Sequence, residues 1–168
     1  SINIGVRHIL PMYPPLAIVA AFAATTIWRR SSDAFARTML AALVAWLIIG
    51  SAIAHPDYLA WFNEAAGEHP EQIAVDSNLD WGQDILRLRR AVHDLHIEKL
   101  NVLIATNAWI YAHDIVSEGL VPYRKSTGWV AVSETALALD GRHGEYRWLD
   151  VYRPVRRVGK TIRLYYIP

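Results

Sequence analysis

Two long apolar runs close to the N-terminus constrain this chain more than any other feature. Of its 17 basic and 16 acidic side chains, only Arg7, Arg29, Arg30, Asp33 and Arg37 fall within residues 1–54. The first run, 9–28, has 20 residues, the length a helix needs to cross a hydrocarbon core of about 30 Å at about 1.5 Å per residue. Pro11, Pro14 and Pro15 stand near its start, where a helix has N–H groups to spare. The second run, 38–54, has 17 uncharged residues. That is at the short end for a span, so some mismatch or an extension upstream is expected.

Between the runs, the segment 29–37 carries three arginines, and the positive-inside bias assigns it to the cytoplasm. Both ends of the hairpin then face outward. Trp28, Tyr58, Trp61 and Phe62 supply the amphipathic rings that membrane interfaces favour, and a helix over 56–66 is expected to lie along the surface. The alternative is a buried helical hairpin of a soluble protein, but a small domain has little surface with which to cover two helices apolar on nearly every face. No basic segment and cleavage site mark either run as a signal peptide. The chain opens on Ser1 and reads as a piece of a longer protein.

The remaining composition narrows the function classes. At 168 residues, 53% apolar and 20% charged, the chain is neither disordered nor large enough for two full domains. A net charge of +1 provides no basic field for nucleic acid. The absence of cysteine rules out disulfides, thiolate metal sites and cysteine nucleophiles. The mean hydropathy of +0.14 averages two unlike halves.

From Gln72 onward, short apolar runs alternate with amphipathic stretches, the pattern of an α/β layer. Strands are expected at 72–76, 100–106, 129–133 and 161–167. The strand at 100–106 reads as a near-continuous apolar run, as a centrally placed strand covered on both faces should be. Leu79, Trp81, Ile85, Leu88, Val92 and Leu95 recur at helical spacing, so 80–96 reads as an amphipathic helix. Asn107 is expected to cap a shorter helix ending near Gly119. Along the last strand, Ile162, Leu164 and Tyr166 share one face. The architecture is thus an α-helical transmembrane hairpin (1–54), an interfacial helix and linker (55–71), and a small α/β extracytoplasmic domain (72–168).

The densest polar cluster, Asp76-Ser77-Asn78-Leu79-Asp80-Trp81-Gly82-Gln83-Asp84, runs from a strand end into a helix start, where open sheets tend to bind ligands. Asp76, Asp80 and Asp84, with Asn78 and Gln83 between them, suit sugar hydroxyls or a divalent cation. Capping competes with this reading: Asp80 and Gln83 have capping-box spacing, Asp84 complements the helix dipole, and Ser77 is a further cap. Capping leaves Asp76 and Asn78 unaccounted for. Arg7-His8 precedes the first apolar run; a guanidinium at that interface either grips a lipid-linked phosphate through two parallel hydrogen bonds or simply snorkels to headgroups. His55, Tyr58 and Asn63 are cleft candidates or plain interfacial anchors. Ser133-Glu134 lacks the glycines of a nucleophile elbow. His93 and His96 form no zinc-protease pattern, and no phosphate-binding glycine loop occurs.

Several strings together resemble the C-terminal part of bacterial phospholipid-carrier-dependent glycosyltransferases, multispanning enzymes related to the protein O-mannosyltransferases. They are Ile4-Gly5-Val6-Arg7-His8-Ile9-Leu10-Pro11-Met12-Tyr13-Pro14, Tyr58-Leu59-Ala60-Trp61-Phe62-Asn63-Glu64 and Val75-Asp76-Ser77-Asn78-Leu79-Asp80-Trp81-Gly82-Gln83-Asp84. The tail segments Gly128-Trp129-Val130-Ala131-Val132-Ser133, Tyr146-Arg147-Trp148-Leu149 and Gly159-Lys160-Thr161-Ile162 are similar to that family's ending. The resemblance implies inverting transfer of a sugar from a polyprenyl-phosphate donor to an acceptor outside the bacterial plasma membrane. It also implies an upstream transmembrane region carrying the acidic base that activates the acceptor. Arg7 and His8 are then candidates for the lipid phosphate, and Asp76, Asn78, Asp80, Gln83, Asp84, Tyr58 and Asn63 for the sugar or acceptor. Two other classes compete: a membrane-anchored, non-catalytic glycan- or protein-binding module, and a soluble metal-dependent enzyme using Asp76, Asp80 and Asp84.

Overall fold

The computed structural model describes residues 10–62, 79–105, 110–140 and 143–168, which fall in two compact units, 1–58 and 59–168. In the first unit, helix α1 (Tyr13–Arg30) opens with proline in its first turn and closes on Arg29 and Arg30, the charge sign that the carbonyl end of a helix favours. A three-residue turn follows, and Asp33 caps helix α2 (Ala34–Ala54) by accepting a hydrogen bond from the Phe35 N–H at 2.9 Å. Helix α2 begins upstream of the uncharged run, at the length of 21 residues that a span requires.

The apolar side chains of both helices stand open. No residue of α1 is buried and Ala54 alone is buried in α2; Phe22 is 73% exposed and Leu47 69%. Thr25 and Thr26 return their hydroxyls to carbonyls one turn back, at Ala21 and Phe22, with bonds of 2.8–3.0 Å. Their polar groups are therefore satisfied within the helix.

The expected surface helix over 56–66 does not form in its described part. His55 is extended and precedes Pro56, which lacks the donor a continuing helix needs. A single 3-10 turn at Tyr58–Ala60 follows, and Trp61 and Phe62 are irregular.

The second unit is a mixed α/β sheet domain. Helix α3 (Ile85–Asp94) leads into β1 (Leu100–Leu103), β2 (Ser117–Gly119), β3 (Gly128–Ser133), α4 (Glu134–Asp140), β4 (Arg156–Val158) and β5 (Ile162–Ile167). The sheet order is β2-β1-β3-β5-β4. Strand β1 runs parallel to β2 and β3, whereas β5 is antiparallel to β3 and β4. One face packs Leu100, Ala131, Ile162 and Leu164 against Ile85, Leu88 and Ala91 of α3. The other packs Val130, Val132, Tyr165 and Ile167 against Leu120, Tyr146 and Leu149.

Two expectations in this unit need correction. Helix α3 begins at Ile85 rather than at residue 80, because Gly82 takes φ +84° and the chain turns before the helix can start. It ends in a Schellman turn: His96 adopts φ +51° while the Ile97 N–H donates to Val92 O at 2.9 Å. The helix expected over 107–119 is instead a 3-10 turn, Ile110–His113, stopped by left-handed Asp114 and followed by edge strand β2. Burying Ile115 in the core and pairing β2 with β1 outweighed local helix preference. In β5, Ile162, Leu164 and Tyr166 share one face as expected; the first two are buried, and Tyr166 is 53% exposed with its ring edge-on to Trp129. The strand expected at 72–76 lies outside the described residues.

A buried carboxylate ties α4 to the sheet. Glu134, at the start of α4, receives Arg163 of β5 through two parallel bonds of 2.6 and 2.7 Å. Burial lowers the basicity of Arg163, but the Glu134 carboxylate more than compensates, so its pKa lies above the ordinary value. Ser133 caps α4, its Oγ accepting from the Ala136 N–H at 3.2 Å and also from the Ala105 N–H at 3.1 Å.

Candidate functional site

The described part of the acidic cluster is the turn 79–84 leading into α3. Leu79 is buried and anchors the turn. Asp80 Oδ1 accepts from the Gly82 N–H at 2.7 Å, and Gln83 bridges the turn, accepting from the Trp81 N–H at 2.8 Å and donating to Leu79 O at 2.9 Å. These bonds resemble helix capping but sit one turn too early. The N-cap position belongs to Asp84, which makes no side-chain capping bond. Asp80 and Gln83 therefore build an Asx-type turn that positions Asp84.

Asp84 is 1% exposed, and both its oxygens are engaged. Oδ2 accepts from the Lys160 N–H at 2.9 Å, the Thr161 N–H at 3.0 Å and Thr161 Oγ1 at 2.9 Å, and Oδ1 pairs with Arg87 at 2.7 Å. Gly159 makes room for this carboxylate: its φ is +61°, and a Cβ there would collide with Asp84. The side chain bolts α3 to the β4–β5 turn. Buried in this way, it presents no oxygen to solvent.

Asp80 is different. It is 8% exposed, and its Oδ2 has no hydrogen-bond partner among the described residues. Desolvation pushes its carboxyl pKa up; the Gly82 N–H pulls it down, and the charge of Asp84 adds to the rise. Such a group can hold a proton, or accept one further hydrogen bond from a hydroxyl that reaches it. The Trp81 side chain beside it is 43% exposed, and an aromatic face next to a carboxylate suits a sugar ring.

Tyr58 stands in the first unit, its hydroxyl 3.3 Å from His55 Nδ1 and the two rings edge-to-face. Arg7, His8, Asn63, Asp76 and Asn78 lie outside the described residues. Among the described residues no three His, Asp or Glu side chains gather to hold a metal ion. The divalent-cation expectation would therefore need residues beyond them, and Asp84 is already spent.

The sequence reading did not mark a second feature, a polar groove of about 530 Å³ lined by Lys99, Asn101, Glu118, Arg124, Lys125 and Thr127 among others. Its residues come from β1, β2 and the loop that returns to β3, so no local spacing announces it. The one-to-one register Asn101↔Glu118 would have done so, had the pairing been known.

Compared with known proteins, the chain matches no family model, no curated protein and no solved structure.

Proposed function

We propose that this chain is the C-terminal portion of an integral-membrane glycosyltransferase that moves a sugar from a polyprenyl-phosphate donor to an acceptor on the outer face of the bacterial plasma membrane. The observation that carries the reading is the helix pair itself: two helices of 21 residues, of mean hydropathy 1.5 and 1.8, with 0% of either apolar window buried. Large side chains exposed along most of two helices are costly in water and costless in lipid. Arginines at the connecting turn support a cytoplasmic bend and hence an α/β domain on the other side.

In this reading Arg7 and His8 stabilise the phosphate that leaves the sugar, because a planar guanidinium matches two phosphate oxygens as negative charge grows there. The Asp80–Trp81 turn, with Asp76 and Asn78 beside it in sequence, contributes to holding the sugar or acceptor. The base that activates the acceptor belongs to the upstream transmembrane region.

The test uses the complete gene product in membranes. The protein should stay in the pellet after alkaline carbonate washing, and a Ser31→Cys variant should react with an impermeant thiol reagent only once the cells are opened. Membranes given polyprenyl-phosphate hexoses and pentoses with a radiolabelled sugar should transfer label, and Arg7→Lys should raise the donor KM about tenfold through loss of the bidentate fork. A soluble product, labelling of Ser31→Cys from outside intact cells, or unchanged donor kinetics in Arg7→Lys would overturn the reading. Membrane retention without transfer for any donor would favour the non-catalytic binding module.

A further inference from the structure

Independently of the glycosyl-transfer reading, we propose that the groove between β1, β2 and the returning loop 120–127 is a binding site for a phosphorylated sugar, either free or carried on a lipid. The volume of about 530 Å³ falls within the range of about 300–1,000 Å³ of small-molecule sites. Such sites are mostly apolar, whereas this one is lined largely by charged and hydrogen-bonding residues. A polar cleft gains nothing from an apolar guest and selects a hydrophilic one.

Its walls are built rather than accidental. The Asn101 amide donates from β1 to Thr127 O and Trp129 O, both at 3.2 Å, and so pins the returning loop beside the strand. The Tyr123 N–H donates to Glu145 O at 2.9 Å, and Gly128 takes φ +83° where the loop enters β3. With its nitrogen spent on the loop, Asn101 keeps its carbonyl oxygen as an acceptor for a sugar hydroxyl. Glu118 and Lys99, paired at 2.9 Å and both well exposed, add an acceptor and a donor. That pair lies in high dielectric and opens readily.

Charge selects the ligand. Lys99 is balanced by Glu118, which leaves Arg124 and Lys125 as the excess. Lys125 is held 5.1 Å from the centre of the Tyr152 ring, so its ammonium is positioned without being neutralised. Arg124 has no acidic partner among the described residues. A guanidinium and an ammonium on consecutive residues, in a groove also lined by Asn101, Ser126 and Thr127, match a phosphate on a polyol ring.

The probes are glucose 6-phosphate, glucose, inorganic phosphate and phosphatidylinositol 4-phosphate, titrated calorimetrically against the full chain in neutral detergent. Glucose 6-phosphate should bind, with glucose and inorganic phosphate each at least about tenfold weaker, and its affinity should fall as salt rises. Arg124→Gln should weaken binding about tenfold, and Lys125→Gln by less; both residues are exposed, so the melting temperature should not move. Binding of phosphatidylinositol 4-phosphate in place of glucose 6-phosphate, with the same loss in Arg124→Gln, supports a lipid-borne ligand. Binding of neither, equal affinity for inorganic phosphate, or wild-type affinity in Arg124→Gln would overturn the proposal. None of these outcomes bears on donor kinetics in Arg7→Lys, so the two readings fail separately.

Discussion

Replacing Asp84 with alanine removes the acceptor of four hydrogen bonds, three of which join α3 to the β4–β5 turn. Lys160 is exposed and its N–H can turn to water, but Thr161 is fully buried. Its N–H and hydroxyl would lose the one acceptor they have among the described residues, at about 1–3 kcal/mol each. The Arg87 guanidinium loses one partner but is about one-third exposed, so its share of the cost is smaller. The sum, about 4 kcal/mol, agrees with the about 3–5 kcal/mol lost when one partner of a buried ion pair is deleted. For a domain of this size that corresponds to a fall in melting temperature of at least about 15 °C. Asp84→Asn keeps one oxygen for the hairpin and should lose about half as much. Tryptophan fluorescence of the full chain in detergent, followed through a thermal ramp, reads both variants. If Asp84→Ala melted within about 3 °C of the parent yet lost transfer activity, the carboxylate would be a ligand group and the bolting argument would be wrong.

Three further expectations follow from the same geometry. Gly159→Ala puts a Cβ against the Asp84 carboxylate at a φ of +61°; urea denaturation should show a loss of about 2 kcal/mol or more, and an unchanged midpoint would refute the close approach. Glu134→Ala strands an arginine that is one-third exposed and able to reach water, so the loss should be about 2–3 kcal/mol rather than the full value for a sealed pair; a larger loss than that of Asp84→Ala would contradict the ranking. Asp80 has its folded pKa above the unfolded one, so the folded state holds its proton more tightly and ionisation destabilises it. The penalty is complete above the folded pKa and relieved as pH falls through it. Asp80→Asn should therefore flatten the pH dependence of stability on the acid side of neutrality relative to the parent, and parallel curves would refute the assignment.

Much of the architecture was legible because it depends on patterns within one segment. The charge-free stretches 9–28 and 38–54 became α1 and α2, with α2 lengthened upstream because Asp33 caps it there. The spacing of Ile85, Leu88 and Val92 marked α3, and the apolar strings at β1, β3 and β5 marked the sheet. What was not legible depends on partners distant in sequence. Strand β2 has three residues and exists because β1 lies beside it; β4 exists because β5 turns back on it. Glycine explains the displaced start of α3, but nothing local reveals that Asp84 reaches the Lys160–Thr161 backbone.

The amino-acid sequence alone determined which segments are long and apolar enough to cross a membrane, where the arginines fall between them, and that an α/β unit follows, because length, hydropathy and charge are read residue by residue. Only the tertiary structure decided the fate of the acidic cluster. Asp80 and Asp84 are the same residue type four positions apart, yet one carboxylate is held by a hairpin late in the sequence and by Arg87, and the other keeps an oxygen with no partner among the described residues. A carboxylate's role is set by the donors that reach it, and here those donors arrive from across the fold.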